Sequence, residues 1–357
     1  MKQIVMEGIT KTFTITKRPE GKSGIFNNLF SRVNEEIQAL NNINFNIDEG
    51  ELVGYIGPNG AGKSTTVKIM SGILNPDGGS CRILGRIPWK ERVAHVSQIG
   101  VVFGQRSQLW WDLPVIDSFN LLRDIYKIKL MDYNSRLEEL VSILDIESIL
   151  QTPVRQLSLG QRMRCEITAA LLHRPKILFL DEPTIGLDAV SKLALRDFLK
   201  QENKKHGVTM ILTTHDMDDI EALCERVMVI GNGRLLYDGG LDELKNRYAP
   251  LRRLKITSPN FSTQNLSHIA NIEGAETIQA ETILPNALQT ETTQTKTLHA
   301  EGTVYSILFD PIKNPSYVMM ERIVNFMKLN NAVVNDITIQ EQDIDEIISA
   351  MYKEMQL

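Results

Sequence analysis

Short apolar runs alternate with amphipathic stretches from about Glu51 to Asp238, and this alternation predicts an α/β domain with a largely parallel, buried sheet. Residues 51–56 read as a strand, and helical periodicity follows over 63–74 until Asn75-Pro76-Asp77-Gly78-Gly79 breaks it. Ile177-Leu178-Phe179-Leu180, bounded by Pro175 and Pro183, and the β-branched run over 208–214 read as central strands.

Before this region, strand-like Ile4-Val5-Met6 leads to Thr12-Phe13-Thr14-Ile15 and then to a polar, basic stretch at 17–22 that reads as a loop. Ile25, Phe26, Leu29, Phe30, Val33 and Ile37 follow at helical spacing, which predicts a helix that either docks a partner or folds onto its own domain. Past Asp242 the texture changes. Residues 254–257, 304–309 and 333–339 read as strands, 317–329 and 343–355 carry helical periodicity, and the Thr- and Gln-rich stretch 289–297 has no apolar face and reads as an exposed loop. The expected organisation is a domain over 1–243, with an inserted segment at about 17–38, and a small α+β domain with an antiparallel sheet over 244–357.

A hydrophobic content of 42% with 23% charge is that of a packed globular chain of 357 residues. The formal net charge of -5 gives no basic footprint for neutralising phosphates along a strand, so no nucleic acid is expected as partner. Cys81, Cys165 and Cys224 stand far apart, which argues against a zinc site or disulfide framework and suits a reducing compartment. The opening 1–7 lacks the apolar core of a signal peptide, and every apolar run is shorter than the roughly 20 residues that span a bilayer.

Chemistry enters at Gly57-Pro58-Asn59-Gly60-Ala61-Gly62-Lys63-Ser64, a phosphate loop set between a predicted strand and a predicted helix. Glycines at 57, 60 and 62 let backbone N–H groups approach phosphates, and the following helix N-terminus adds favourable partial charge. Lys63 can reach the β- and γ-phosphates, and the Ser64 hydroxyl can help hold Mg²⁺. Each such charge-assisted bond is worth roughly 1.5 to 3 kcal/mol net. Asp181 closes an apolar strand, where a carboxylate is costly unless paired or metal-linked. A Mg²⁺ position resolves that cost, with Glu182 as the general base polarising an attacking water; alone, the same pair reads as a helix-capping turn.

Leu157-Ser158-Leu159-Gly160-Gln161, shortly before the Asp181-Glu182 strand, resembles the signature motif of the nucleotide-binding subunits of ABC transporters, and the resemblance covers about 1–243. It implies a phosphate-loop NTPase core of the ABC ATPase type with a helical signature subdomain. It also implies two copies facing head to tail, with Ser158, Gly160 and Gln161 of one copy serving the ATP held by residues 57–65, Thr65 included, of the other. The departure is Leu159, where the commonest form has Gly. Ser158 is also a natural helix N-cap, which is compatible with that role. By the same resemblance Phe13 stacks on adenine, Gln105 contacts Mg²⁺ or water and links the site to a membrane partner, Asp188 communicates across the dimer, and His215 contacts the γ-phosphate. Phe13, Asp188 and His215 each have a plainer reading: a core Phe, a helix-start Asp, a structural His at a strand end. The stretch 109–114 would line the groove for the partner; its adjacent Trp110 and Trp111, taken as strand residues, should point one into the core and one to the surface.

The resemblance implies an ATP-hydrolysing homodimer using ATP and Mg²⁺, peripheral at the cytoplasmic face of the cell membrane, that energises a separate membrane-spanning permease of exporter type. The rival readings are a soluble ABC ATPase acting on DNA or ribosomes, and a non-enzymatic subunit with a decayed site. The first usually carries two cassettes or a long coiled coil, and the second fits poorly with Lys63, Asp181, Glu182 and His215 all present.

Overall fold

The computed structural model describes residues 1–17, 33–104, 107–214, 216–248, 251–258, 275–283, 302–311, 313–341, 346–348 and 351–352. The chain divides into two compact units, Met1–Leu241 and Asp242–Gln356.

In the first unit, β1 (Lys2–Lys17) and β2 (Val33–Asp48) form a long antiparallel hairpin, and β4 (Gly78–Ile83) pairs on the other edge of β1. The second sheet holds β3 (Leu52–Ile56), β5 (Ile99–Phe103), β6 (Ile177–Asp181), β7 (Thr209–Thr213), β8 (Arg226–Gly231) and β9 (Arg234–Gly240) in the order β5-β6-β7-β3-β8-β9. It is parallel except for β9. Burial on both faces explains why β3, β6 and β7 are continuous apolar runs rather than alternating ones. Helix α1 (Lys63–Met70) buries Val67, Ile69 and Met70 in one cluster with Ile4 and Met6 of β1, Leu40 of β2 and Phe179 of β6, so a single core joins both sheets.

After α2 (Arg92–Val96), the chain between β5 and β6 carries α3 (Val115–Ile125), α4 (Leu130–Ile143) and α5 (Leu159–Leu171). Arg136 of α4, buried, donates to Glu202 of α6 (Ala189–His206) at 2.6 and 3.1 Å and to Glu139 at 2.7 Å. A buried charge is tolerable only with its partners satisfied, so this pair fixes α4 against the core. Helix α7 (Met217–Leu223) follows β7. No helix among the described residues is long and apolar enough to cross a membrane.

Helix α8 (Leu241–Tyr248) opens the second unit, where β10 (Arg252–Ser258), β11 (Ala275–Ile283), β12 (Gly302–Phe309) and β13 (Asp336–Glu341) form an antiparallel sheet ordered β11-β12-β10-β13. Met319, Ile323 and Met327, four apart on α9 (Ser316–Leu329), share one helix face and pack on Leu254, Ile256, Tyr305, Ile307 and Phe309. Residues 346–348 and 351–352 are helical, within the expected 343–355.

Two sequence expectations are corrected. Val33 and Ile37 lie in β2, not in a helix, and Ile37 pairs directly with Phe13; residues 25–32 lie outside the described set. A spacing of four satisfies a period of two as well as 3.6, and pairing with β1 decides between them. Residues 110–113 form a turn rather than a strand, so Trp110 and Trp111 are both exposed and Leu109 takes the buried place.

Candidate functional site

Strand β3 delivers the chain into the turn over 57–62, which opens α1. The glycines are required by space and by backbone: a Cβ on Gly57 would lie 2.2 Å from the Ile230 carbonyl oxygen, and Gly62, at φ 113°, would place one 2.7 Å from the Ala39 carbonyl oxygen. The N-cap Gly62 has no side chain to cap α1, and among the described residues no side-chain acceptor takes up its first-turn N–H groups, as an anion cradle needs. The Lys63 ammonium lies along the turn, donating to the carbonyls of Gly57 at 2.5 Å and Pro58 at 3.1 Å. Burial pushes its pKa down, opposed by the charges of Glu182 and Asp181.

Asp181, at the end of β6, accepts from the Ser64 hydroxyl at 3.2 Å through Oδ2 and from the Thr213 hydroxyl through Oδ1. The two side chains that sequence reasoning placed on Mg²⁺ are thus neighbours across 117 positions of chain. Hard oxygen donors of this kind, a hydroxyl beside a carboxylate, fit that ion. Glu182 follows in a left-handed conformation, φ 55°, its N–H donating to the Thr213 carbonyl at 2.8 Å. A non-glycine residue there costs on the order of 1–2 kcal/mol, so the surrounding bonds impose its orientation. Lys63, Ser64, Asp181 and Glu182 line one cavity of about 360 Å³, together with Asn59, Gly60, Gly62 and Thr65, whereas Gly57, Pro58 and Ala61 shape the turn without lining it.

Sequence reasoning missed Lys68, Phe103 and Gly104, which also line this cavity. Lys68 follows Ser64 by one helical turn, a spacing that could have flagged it as a second cation facing the phosphates. Gly104 admits close approach of the β6 end, since a Cβ there would lie 2.9 Å from the Asp181 carbonyl oxygen.

Phe13 does not line the cavity. It is 39% exposed and lies two positions along β1 from Lys11, whose cross-strand partner Leu40 abuts Gly62. Gln105 and His215 lie outside the described residues.

The remaining predicted residues form a second cluster. Ser158 N-caps α5 in a capping box: its Oγ accepts from the Gln161 N–H at 3.2 Å, and Gln161 Oε1 accepts from the Ser158 N–H at 2.9 Å. That bond uses Oγ as acceptor only, which leaves the hydroxyl proton to donate elsewhere. A Cβ on Gly160 would approach the Gly186 carbonyl oxygen to 3.0 Å, and one on Gly186 would meet Leu159 Cδ2 at 2.5 Å. The bulkier residue at 159 therefore occupies the space that the absent side chain at 186 leaves. Asp188 caps α6, accepting from the Ser191 N–H at 2.8 Å and hydroxyl at 2.9 Å, and these bonds hold its carboxyl below the usual range. Ser158, Gly160, Gln161 and Asp188 are absent from the cavity wall.

Residues 40–185 match the family model described as ABC transporter. The methionine import ATP-binding protein MetN of Geobacillus kaustophilus is 30% identical over 68% of this chain and 72% of its own length. The probable multidrug ABC transporter ATP-binding protein YbhF of Escherichia coli is 34% identical over 60% of this chain, which spans 36% of that protein. Among solved structures, a dimeric ATP-binding cassette in a post-hydrolysis state with ADP and Pi is 27% identical, covers 67% of this chain and 98% of its own, and superposes with a TM-score of 0.56. With a phosphate cradle, an Asp181-Glu182 strand end and relatives of this extent, the chain belongs to the ABC transporter ATP-binding proteins and is an ATPase of that family.

Proposed function

We propose that the chain works as a homodimer closing around two ATP molecules, with Mg²⁺, to drive a separate membrane-spanning permease, and that the direction is export. The observation that carries the dimer is the division of the predicted site within one copy. Gly60, Gly62, Lys63, Ser64, Asp181 and Glu182 share a cavity, while Ser158, Gly160 and Asp188 lie off it, which supports their being supplied to that cavity by a facing copy. The dimeric cassette with ADP and Pi supports the same reading.

In this reading the amides of the cradle and Lys63 bind the phosphates, and Ser158 of the facing copy donates its remaining proton to the terminal phosphoryl group. Mg²⁺, held by Ser64 and Asp181 with Gln105, would supply charge neutralisation at the β- and γ-phosphates. Glu182 takes the proton of the attacking water, a role worth about 10² to 10⁴-fold in rate, and His215 contacts the γ-phosphate. Only the triphosphate is gripped from both sides, so ATP favours closure and its hydrolysis releases it.

Residues 1–243 carry this activity and 244–357 form an accessory domain. Trp110, Trp111 and Leu113, exposed at 38%, 52% and 40%, are apolar side chains open to a partner, which suits docking of the permease at the cytoplasmic face of the cell membrane. Export is favoured by the insertion after Phe13 and the wording of 105–114, while the methionine import relative points the other way.

The test is Glu182→Gln in the full chain. Phosphate release should fall at least about 100-fold, and gel filtration with ATP should show a trapped dimer. A variant that stays monomeric at saturating ATP sinks the shared-site mechanism.

A further inference from the structure

Asp219, in the first turn of α7, is fully buried and is absent from the cavity wall. A carboxylate out of water needs each oxygen bonded. Its Oδ1 accepts from Arg196 Nε at 2.6 Å and Nη2 at 2.5 Å; its Oδ2 accepts from the hydroxyls of Thr184 at 2.5 Å and Thr214 at 3.4 Å. The partners belong to different segments. Thr184 stands two residues beyond Glu182, and its carbonyl accepts from the Leu187 N–H at 3.2 Å. Thr214 follows β7 directly and accepts the Asp216 N–H at 2.9 Å. Arg196 lies on α6, the helix that Asp188 caps, and Asp216 faces both Lys192 and Arg196 of that helix.

We propose that Asp219, held by Arg196, is a positioning residue of the ATPase centre. It fixes Thr184 and Thr214, and so the backbone that sets Glu182 against the end of β7, where the Glu182 N–H meets the Thr213 carbonyl. Arg196 makes α6 part of the same assembly, so a displacement at Asp188, on the dimer face of the proposed mechanism, is felt at Glu182 through Asp219. The proposal rests on the ATPase reading and places Asp219 in contact with neither nucleotide nor water. A clamp serving the fold alone would change stability and leave turnover per folded molecule untouched; a positioning role lowers kcat at unchanged nucleotide affinity.

The experiment uses the full chain, with phosphate release, ATP affinity measured without turnover, and thermal melting on each variant. Asp219→Asn and Thr184→Val should lower kcat about 10-fold or more, as a displaced reacting group does, with KM and ATP affinity within about 2-fold of wild type. Thr184→Ser, which keeps the hydroxyl, should return kcat to within about 2-fold. If Asp219→Asn does not fold, the Thr184 pair carries the test. A folded Thr184→Val with wild-type kcat overturns this proposal alone, as does a loss confined to KM or to melting temperature. A wild type that releases no phosphate overturns the ATPase reading and this proposal with it.

Discussion

The phosphate cradle and the signature segment are both turns that open a helix, α1 and α5, yet they are held by different means. At α1 the N-cap is Gly62 and, among the described residues, no side chain takes the first-turn donors; the turn is shaped by backbone pressed against backbone, at Ile230 and Ala39. At α5 the donors are taken by the chain's own side chains, through Ser158 and Gln161, and the packing against Gly186 is made by Leu159. A turn made of backbone admits no substitution where carbonyls close in. A turn made of side chains can be retuned, and Leu159, packed against Gly186, is a position where such retuning can act.

The largest expected effect breaks the first half of this comparison. Gly57→Ala sets a Cβ 2.2 Å from a carbonyl oxygen that cannot rotate away, whereas Gly60→Ala, at φ 83°, meets open space and only backbone strain. Overpacking of this kind costs about 3 kcal/mol or more and the strain alone about 1 kcal/mol. ATP titration should therefore show at least about 100-fold weaker binding for Gly57→Ala and less than about 10-fold for Gly60→Ala. Equal losses at the two positions would mean that the steric frame is not what shapes the cradle.

The same contrast explains what the sequence could and could not reveal. Residues 57–64 were legible because a phosphate cradle is local: strand, glycines, lysine and helix follow within a dozen positions. Strands β3, β6 and β7 were legible because burial on both faces leaves continuous apolar runs. Ser158 as the N-cap of α5 was likewise legible from its place before the helix, whereas its reciprocal bonding with Gln161 came from the structure. Asp219, Thr184 and Arg196 were not legible, since nothing local marks residues that meet only when β6, α6 and α7 pack. Trp110 and Trp111 misled because a turn, not a strand, carries them, and Val33 and Ile37 because a spacing of four fits both periods.

The side-chain-built half should also show in its response to acid. His173, just past α5, donates from Nε2 to the Ile99 carbonyl of β5 at 2.9 Å and stacks on Tyr126 with centroids 3.9 Å apart, while its buried Nδ1 has no partner among the described residues. Burial pushes its pKa down to about 4 from 6.5, against the opposing Ile99 bond. The folded state therefore binds this proton less readily than the unfolded one. The stabilisation is present above pH 6.5 and is lost as pH falls toward about 4, roughly 2 kcal/mol of it between pH 7 and 5. All three tryptophans lie in the first unit, so urea unfolding followed by their fluorescence reports on that unit. His173→Gln keeps a donor for Ile99 and does not titrate, so its loss of stability between pH 7 and 5 should be smaller by that amount. Parallel pH profiles would remove His173 as the acid-sensitive anchor of α5.

The smallest effect sharpens the second half. Gly186→Ala drives a Cβ into Leu159, 2.5 Å from Cδ2, at a backbone φ of 75° that already disfavours alanine. The clash is with a side chain, which can move, so the expected cost is about 10-fold in phosphate release rather than loss of fold. Leu159→Gly removes the obstructing group, and the double variant should recover to within about 3-fold of Leu159→Gly alone, the residue being the strain at position 186. That non-additivity is the signature of direct coupling between the two positions. ATP affinity of the monomer should not move in any of the three, because neither residue lines the cavity that holds the cradle. Additive losses would mean that Leu159 and Gly186 act independently. A fall in monomer affinity would mean that the two turns, built by different means, are nevertheless one mechanical unit within a single copy.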